Sequence, residues 1–260
     1  GIKLKNLKQM KTTQFFATAL TVIALATFTT SCMQDEVVAP ASHDASITFD
    51  QTGSSGAILT APDFLYGRAT KEYTKDWWTY VVRFPRSQNP LNSASVSAPK
   101  LGQLGPIQDL FGVKNGSINR NIDATFNKPI LVPVINTIRT YPGTDPNAKP
   151  AKGQSVDQYL KASADNFIRQ ATDVRISLDG EQMDAADIKR LTTDEFKITA
   201  NKDLANYLDL GLTGKEQTAV SDGFWFIAND LPRGKHVLVT HAEVPTKGIT
   251  ADVTYTITVR

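Results

Sequence analysis

Aromatic and apolar side chains recur at helical spacing just before Pro85. The repeating positions are Tyr73, Trp77, Tyr80, Val81 and Phe84. Intervals of three and four residues place side chains on one face of an α-helix, and a proline ends a helix because it lacks the backbone N–H. The pattern therefore predicts a core helix that stops at Pro85, with Thr70 as its N-cap. The β-branched and aromatic composition of residues 79–84 also suits a strand, and that alternative stays open.

Two later segments carry equally clear signals. Residues 129–138 are mostly apolar and β-branched, which predicts a strand buried on both faces, with Pro133 at a bulge or an edge. A helix is predicted from Ser155 to about Ala171, because Ser155 and Gln158 have capping-box spacing. The residues predicted on its apolar face are Val156, Tyr159, Leu160, Phe167 and Ile168.

The last forty residues alternate in the manner of strands. Strands are predicted at 223–228, 235–241 and 251–259, separated by turn sequences that contain proline and glycine. In the third strand the apolar residues alternate with polar ones, so one face is buried and the other is wet. The predicted fold is therefore mainly β, an antiparallel β-sandwich of the jelly-roll or immunoglobulin-like type, with a few packed α-helices.

The remaining elements are short. Residues 173–180 alternate and end in Asp179-Gly180, which predicts a half-exposed strand entering a hairpin turn whose return arm is not evident. The other predictions are a strand at 46–50, a short helix at 184–191, a strand at 195–199, and a short helix capped by Asn201 and running through Tyr207.

Composition places the chain among globular proteins and excludes nucleic acid as a partner. The 260 residues are 41% hydrophobic and 21% charged, with a net charge of +2. Residues 1–31 contain four lysines and neither an acid nor an arginine, so removing them leaves −2 for the rest. A chain with that balance has no basic surface for a nucleic acid.

The first 31 residues have the pattern of a signal peptide. Their lysines precede an uncharged run from 12 to 31, and Cys32, the only cysteine, follows directly. This arrangement resembles a lipoprotein signal, in which the cysteine becomes acylated and anchors the protein to the membrane. The alternatives are a chance cysteine beside an ordinary cleavage site and a permanent membrane helix, although seven threonines weaken the second of these.

The residues after Cys32 are predicted to lift a domain off the membrane. Met33-Gln34-Asp35-Glu36 resembles the acidic surface-export signal of some Gram-negative outer-membrane lipoproteins. Residues 32–45 are a lipidated tether in this interpretation, and 46–260 form a single β-sandwich domain. The expected location is the cell envelope, as an outer-membrane lipoprotein that is either surface-exposed or inward-facing.

Several short motifs, spread over about residues 70–260, resemble a family of secreted bacterial proteins without an assigned activity. They are Asp76-Trp77-Trp78, Phe84-Pro85, Asn89-Pro90, Gly102-Gln103 with Gly105-Pro106, the segments 130–136 and 174–180, Gly223-Phe224-Trp225, and Leu231-Pro232 with Gly234 and His236. Members tend to carry a cysteine pair around the Gly-Gln-x-Gly-Pro segment, and this chain has no cysteine there. The resemblance implies a β-rich secreted protein and no catalytic residues.

The sequence contains little that points to catalysis. His236 and His241 are five residues apart on one predicted strand, so they face opposite sides and cannot both bind one metal from it. His241 shares a face with Glu243, but a metal or an acid/base pair would need partners from elsewhere. No metal site and no cofactor are predicted. The candidate ligand-binding residues are Asp76, beside Trp77, and Asp222, beside Gly223-Phe224-Trp225, together with Trp78, Trp225 and His241.

These observations predict a non-catalytic binding module of the envelope, with a glycan as the first ligand to consider. Its partners would be the membrane, through the lipid anchor, and either a glycan or an envelope protein. Two alternatives stay open. One is a hydrolase of polysaccharide or envelope polymer, which needs two carboxylates in a groove. The other is a structural partner in an envelope complex, which needs a flat apolar patch.

Overall fold

The computed structural model describes residues 62–92, 105–205, 207 and 210–260. The predicted signal peptide, Cys32, the tether, the strand at 46–50 and the Gly102-Gln103 pair lie outside the described residues. Within the described ranges, no helix has both the length and the apolar character needed to cross a membrane.

The described residues form two α-helices and twelve strands. The helices are α1 (Thr70–Val81) and α2 (Val156–Ile168). The strands are β1 (Phe64–Leu65), β2 (Arg68–Ala69), β3 (Gln108–Asp109), β4 (Gly116–Ala124), β5 (Ile130–Tyr141), β6 (Thr172–Leu178), β7 (Glu181–Gln182), β8 (Lys189–Thr192), β9 (Phe196–Thr199), β10 (Glu216–Ala228), β11 (Gly234–Val244) and β12 (Ile249–Val259).

Two five-stranded sheets pack face to face. The first has the order β3-β5-β10-β8, with β9 also paired to β10, and the second has the order β4-β12-β11-β6-β7. Side chains from the two sheets share one buried cluster, to which the first contributes Val132 and Phe226 and the second Leu238 and Tyr255. The prediction of a mainly β sandwich with a few helices is confirmed. The pairings β3–β5 and β4–β12 are parallel, and the other pairings within these sheets are antiparallel.

Helix α1 covers the other face of the first sheet. Trp77 of the helix packs in one cluster with Leu131 of β5 and Trp225 of β10. The helix is confirmed, and the strand alternative for residues 79–84 is wrong. Thr70 does not cap the helix: it is the first helical residue, and its hydroxyl donates to the carbonyl of Pro62. The helix ends at Val81, before Pro85.

Strand β5 and helix α2 form where the sequence predicted them. Strand β5 lies between β3 and β10 and is buried along most of its length. Pro133 pairs with Trp225 beside the bulge in the β5–β10 ladder, which accommodates the missing N–H. Helix α2 begins with the complete Ser155 capping box, packs across β5 and β10, and ends at Ile168, earlier than expected.

The segments between α2 and β10 differ most from expectation. The predicted helix at 184–191 is one 3₁₀ turn, Ala185–Asp187, followed by β8, which pairs with β10. The helix expected after Asn201 is likewise one turn, Lys202–Leu204, although Asn201 caps it as predicted. Asp179-Gly180 forms the expected hairpin turn with positive φ at both residues, and its return arm is the two-residue β7.

Candidate functional site

A cavity of about 440 Å³, here called the edge cavity, lies along one edge of β5. Strand β3 pairs with β5 through Ile130 and Leu131, and beyond them the described part of the chain places no strand on that side. Helix α1, the loop after β3 and the start of β12 surround this edge. Small-molecule sites in proteins are commonly about 300–1,000 Å³, so the edge cavity has the size of a ligand site.

The wall of the edge cavity is apolar and its mouth is cationic. Trp77 and Trp78 are buried in its wall, Lys114 and Lys247 are exposed at its mouth, and Arg139 is half-buried beside them. No aspartate or glutamate is among the described residues that line it. With three cations and no carboxylate among its described lining residues, the edge cavity favours a ligand that carries negative charge.

Two of these cations are held in place by aromatic residues. Lys114 Nζ donates to the carbonyl oxygen of Tyr207 at 2.6 Å and lies 5.2 Å from the centroid of the tyrosine ring. The guanidinium of Arg139 lies 5.4 Å from the ring centroid of Phe167, at the end of α2. Such cation–π contacts restrict long side chains without neutralising them. The charges at the mouth are therefore positioned before a ligand arrives.

The tryptophans predicted to stack on a ligand are buried. Trp78 is 3% exposed and meets Trp77 edge to face at 5.1 Å, so it is part of the cavity wall and not an exposed platform. Its indole Nε1 is buried and has no hydrogen-bond partner among the described residues. Trp225 is fully buried, contacts Trp77 at 5.3 Å and lies outside the cavity wall. Trp225 is therefore a core residue.

Asp222 is a buried structural carboxylate. Arg190 donates to it twice, from Nε at 3.1 Å and from a terminal nitrogen at 2.5 Å, and Thr192 donates its hydroxyl at 3.1 Å. Arg190 also pairs with Asp165 of α2 at 2.8 Å. The hydrogen bonding of Arg190 to the Asp222 carboxylate raises the pKa of Arg190 above its ordinary value. The carboxylate thus ties β10 to β8, and through Arg190 to α2, and three of its acceptor positions are taken by these contacts.

Asp76 lies at a second, smaller cavity of about 310 Å³, here called the acid cavity. Its carboxylate is exposed and pairs with Arg68. Asp109 lines the same cavity, and desolvation, together with the charge of Asp76, raises the pKa of Asp109 to about 7. Tyr80 also lines it, and desolvation raises its pKa to about 12. Asp109 Oδ1 and the Tyr80 hydroxyl have no hydrogen-bond partner in the described structure.

The two histidines of β11 face opposite sides, as predicted. His236 is buried, with Nδ1 2.7 Å from Asp179 Oδ2 and Nε2 3.0 Å from the Pro232 carbonyl oxygen. His241 lies on the outer face of the second sheet, near Glu243 and the Asp252 carboxylate of β12. The two imidazoles belong to separate hydrogen-bond networks.

Several residues at these sites carry no sequence signal that would single them out. Lys114 and Lys247 are ordinary loop lysines, brought together because their loops end at the same cavity. Asp109 is the exception, since a carboxylate between Gln108 and Leu110-Phe111 in an apolar stretch indicates a buried acid.

The apolar patch expected of a structural partner is not evident: the large exposed apolar side chains of the described residues are Phe64, Tyr66, Phe126 and Val237.

Comparison with known proteins assigns no family. No family model matches the sequence, and no curated protein matches it. Among solved structures, a chain of the "Structure of PbICP-C in complex with falcipain-2" aligns over 60% of this chain and 100% of its own length, with 12% identity and a TM-score of 0.24. A TM-score that low carries no argument about fold or function.

Proposed function

We propose that the protein is an envelope lipoprotein whose sandwich domain binds an anionic ligand in the edge cavity without transforming it. The observation that carries this proposal is the combination of an apolar tryptophan wall with the cations Lys114, Lys247 and Arg139 and no lining carboxylate. An acidic glycan fits this lining, because its carboxylates pair with lysine and arginine while its apolar C–H groups lie against the apolar part of the wall.

The charged residues that line the edge cavity favour binding over hydrolysis. Glycoside hydrolysis uses two carboxyl groups on either side of the scissile bond, and the edge cavity has none among its described lining residues. The lining therefore supports recognition of an anion and offers no acid or base for its cleavage.

The decisive experiment is a glycan array probed with the full chain in mild detergent, followed by titration of the best acidic hit. Lys247→Glu reverses one charge at the mouth and should weaken binding at least tenfold. Lys152→Glu is the matched control, because Lys152 is an exposed loop lysine away from the cavity. Equal losses from both variants, or binding confined to neutral glycans, would contradict the proposal.

The lipoprotein part of the proposal rests on Cys32 and the segment before it. Replacing Cys32 with serine should block acylation and release or mislocalise the protein. Metabolic labelling with an alkyne fatty acid measures this directly. Equal labelling of the wild type and Cys32→Ser would show that Cys32 is not the acylated residue.

A hydrolase is the second candidate, because Asp109, whose carboxyl group has a pKa of about 7, and the carboxylate residue Asp76 line the same acid cavity. Asp109 would act as the general acid, since a group with that pKa holds its proton near neutral pH, and Asp76 would supply the second carboxylate. Hydrolysis of acidic and neutral polysaccharides by the wild type, lost in Asp109→Asn, would establish this activity. Retention of the activity in Asp109→Asn would rule out the acid cavity as its source.

A further inference from the structure

The outer face of the second sheet carries a cluster of acids around His241. His241 Nε2 lies 3.2 Å from Asp173 Oδ2 and 3.7 Å from Glu243 Oε1. One ligand atom from each of these three residues lies within 4.8 Å of the other two. All three side chains are partly exposed, His241 least with 18%, so the cluster lies at the surface of the sheet.

A bulge brings the third residue to the pair that the sequence already placed on one face. His241 and Glu243 alternate along β11, and the register of β11 against β6 shifts between them. At that shift, Asp173 adopts φ of 51° and turns its carboxylate to the imidazole. A positive φ is costly for a residue other than glycine, although aspartate tolerates it better than most. Bulges commonly re-aim a side chain at a functional site.

The opposite side of the imidazole is held by a carboxylate of the next strand. Asp252 of β12 faces His241 across the ladder, and its Oδ1 lies 2.5 Å from His241 Nδ1. Ser117 of β4 donates to the other oxygen of Asp252 at 3.1 Å. A carboxylate that accepts from Nδ1–H fixes the tautomer whose Nε2 has a free lone pair. That lone pair then points to Asp173 and Glu243.

An imidazole lone pair facing two carboxylates is unfavourable unless a positive charge lies between them. His241 Nε2 is buried and has no hydrogen-bond partner among the described residues. Its contact with Asp173 Oδ2 at 3.2 Å does not have hydrogen-bond geometry. Arg175 neutralises the other oxygen of Asp173, Oδ1, at 2.8 Å and leaves Oδ2 for the cluster. A metal cation held by the three side chains would supply that charge.

The distances suit a metal ion. Tetrahedral Zn²⁺ with bonds of about 2.0–2.1 Å separates its ligand atoms by about 3.3–3.4 Å. The separations of His241 Nε2 from the two carboxylate oxygens, 3.2 and 3.7 Å, bracket that value, and the ligand atoms of all three residues lie within 4.8 Å of one another. One nitrogen and two carboxylate oxygens also suit zinc better than Ca²⁺ or Mg²⁺, which prefer all-oxygen shells.

We propose that Asp173, His241 and Glu243 bind one Zn²⁺ ion, with Asp252 positioning the imidazole and solvent completing the coordination. The site is independent of the edge cavity, none of whose lining residues it uses. Three protein ligands with an open position make an accessible site, which differs from the closed four-ligand shell of a structural zinc.

Titration of the metal-free full chain with Zn²⁺, and with Co²⁺ for its visible spectrum, tests the proposal. We expect one equivalent to bind, with tetrahedral Co²⁺ bands that disappear in His241→Ala and in Asp173→Asn. Glu195→Gln is the matched control, because Glu195 is an exposed acid outside the cluster. Asp173→Asn removes one ligand oxygen without changing the size of the side chain, so it remains informative if His241→Ala fails to fold.

Asp252→Asn separates positioning from ligation. It should weaken metal binding about 10–100-fold while the Co²⁺ spectrum of the loaded protein keeps its shape, because all three ligands remain. A purely structural role of Asp252 would leave the affinity unchanged. Binding that survives both Asp173→Asn and His241→Ala would overturn the proposal. So would a doubly protonated His241 at neutral pH, seen by NMR in the presence of Zn²⁺.

Discussion

Trp77 is the residue on which the contact between α1 and the first sheet most depends. It is 1% exposed, stacks on Phe111 at 5.8 Å, and donates its indole N–H to the Leu110 carbonyl oxygen at 2.7 Å. Replacing a buried tryptophan with alanine costs about 3–5 kcal/mol. Leaving a buried carbonyl without its donor adds about 1–3 kcal/mol. Because domains are commonly stable by about 5–15 kcal/mol, Trp77→Ala should unfold much of the protein at 25 °C.

A pair of phenylalanine substitutions isolates the hydrogen bond from the packing. Trp77→Phe and Trp78→Phe remove the same atoms from adjacent buried indoles, but only Trp77 has a partner for its N–H among the described residues. Trp77→Phe should therefore be less stable than Trp78→Phe by about 1–2 kcal/mol. Urea unfolding followed by far-UV circular dichroism measures both, and avoids tryptophan fluorescence. If Trp78→Phe costs as much as Trp77→Phe, the hydrogen bond does not contribute as argued.

Three further substitutions test the pH dependence, the strand contact and the helix cap. Desolvation holds the pKa of Asp109 at about 7, well above its unfolded value of about 3.9. The free energy of unfolding should therefore fall as the pH rises from about 4 to 7. Urea unfolding midpoints measured over this pH range should show the fall in the wild type and lack it in Asp109→Asn. A Cβ on Gly223 would lie 2.4 Å from Asn136 Cβ, so Gly223→Ala should cost about 3 kcal/mol in a thermal melt, whereas Gly112→Ala, with its nearest contact at 3.8 Å, should be neutral. Ser155→Ala removes the capping box of α2 and should cost about 1 kcal/mol of unfolding free energy in urea.

The elements that the sequence predicted well are those whose signals are local. The aromatic stripe of α1, the capping box of α2 and the alternation of β12 each follow from residues within one element. The failures lie between 184 and 207, where the helical signals are short. There, pairing with β10 draws residues 189–192 into a strand, because an added ladder satisfies more backbone groups than a second helical turn.

Helix periodicity left the position of Trp78 open. Trp78 lies about 100° around α1 from Trp77, so the sequence allowed it either to pack under a second layer or to face a ligand. In the fold, Leu91 and Leu210 pack with the same buried cluster from loops that follow the helix, and both line the edge cavity beside Trp78. A layer that comes from loops leaves no periodic signal, so the sequence could name Trp78 as a ligand-binding candidate but could not decide between the two positions.

The candidate sites depend on contacts between distant segments, which is why the sequence offers parts of them and never the whole. His241 and Glu243 are visible as a pair, but Asp173 joins them through a bulge between strands about 70 residues apart along the chain. The start of β12 contributes one residue to each proposed site, on opposite faces of the strand. Ala251 is buried and lines the edge cavity, whereas the next residue, Asp252, points outward to His241 at the proposed zinc site. Because strand side chains alternate, Asp252→Asn leaves the cavity wall intact. A loss of metal affinity in that variant with unchanged anion binding would therefore assign the two sites separately.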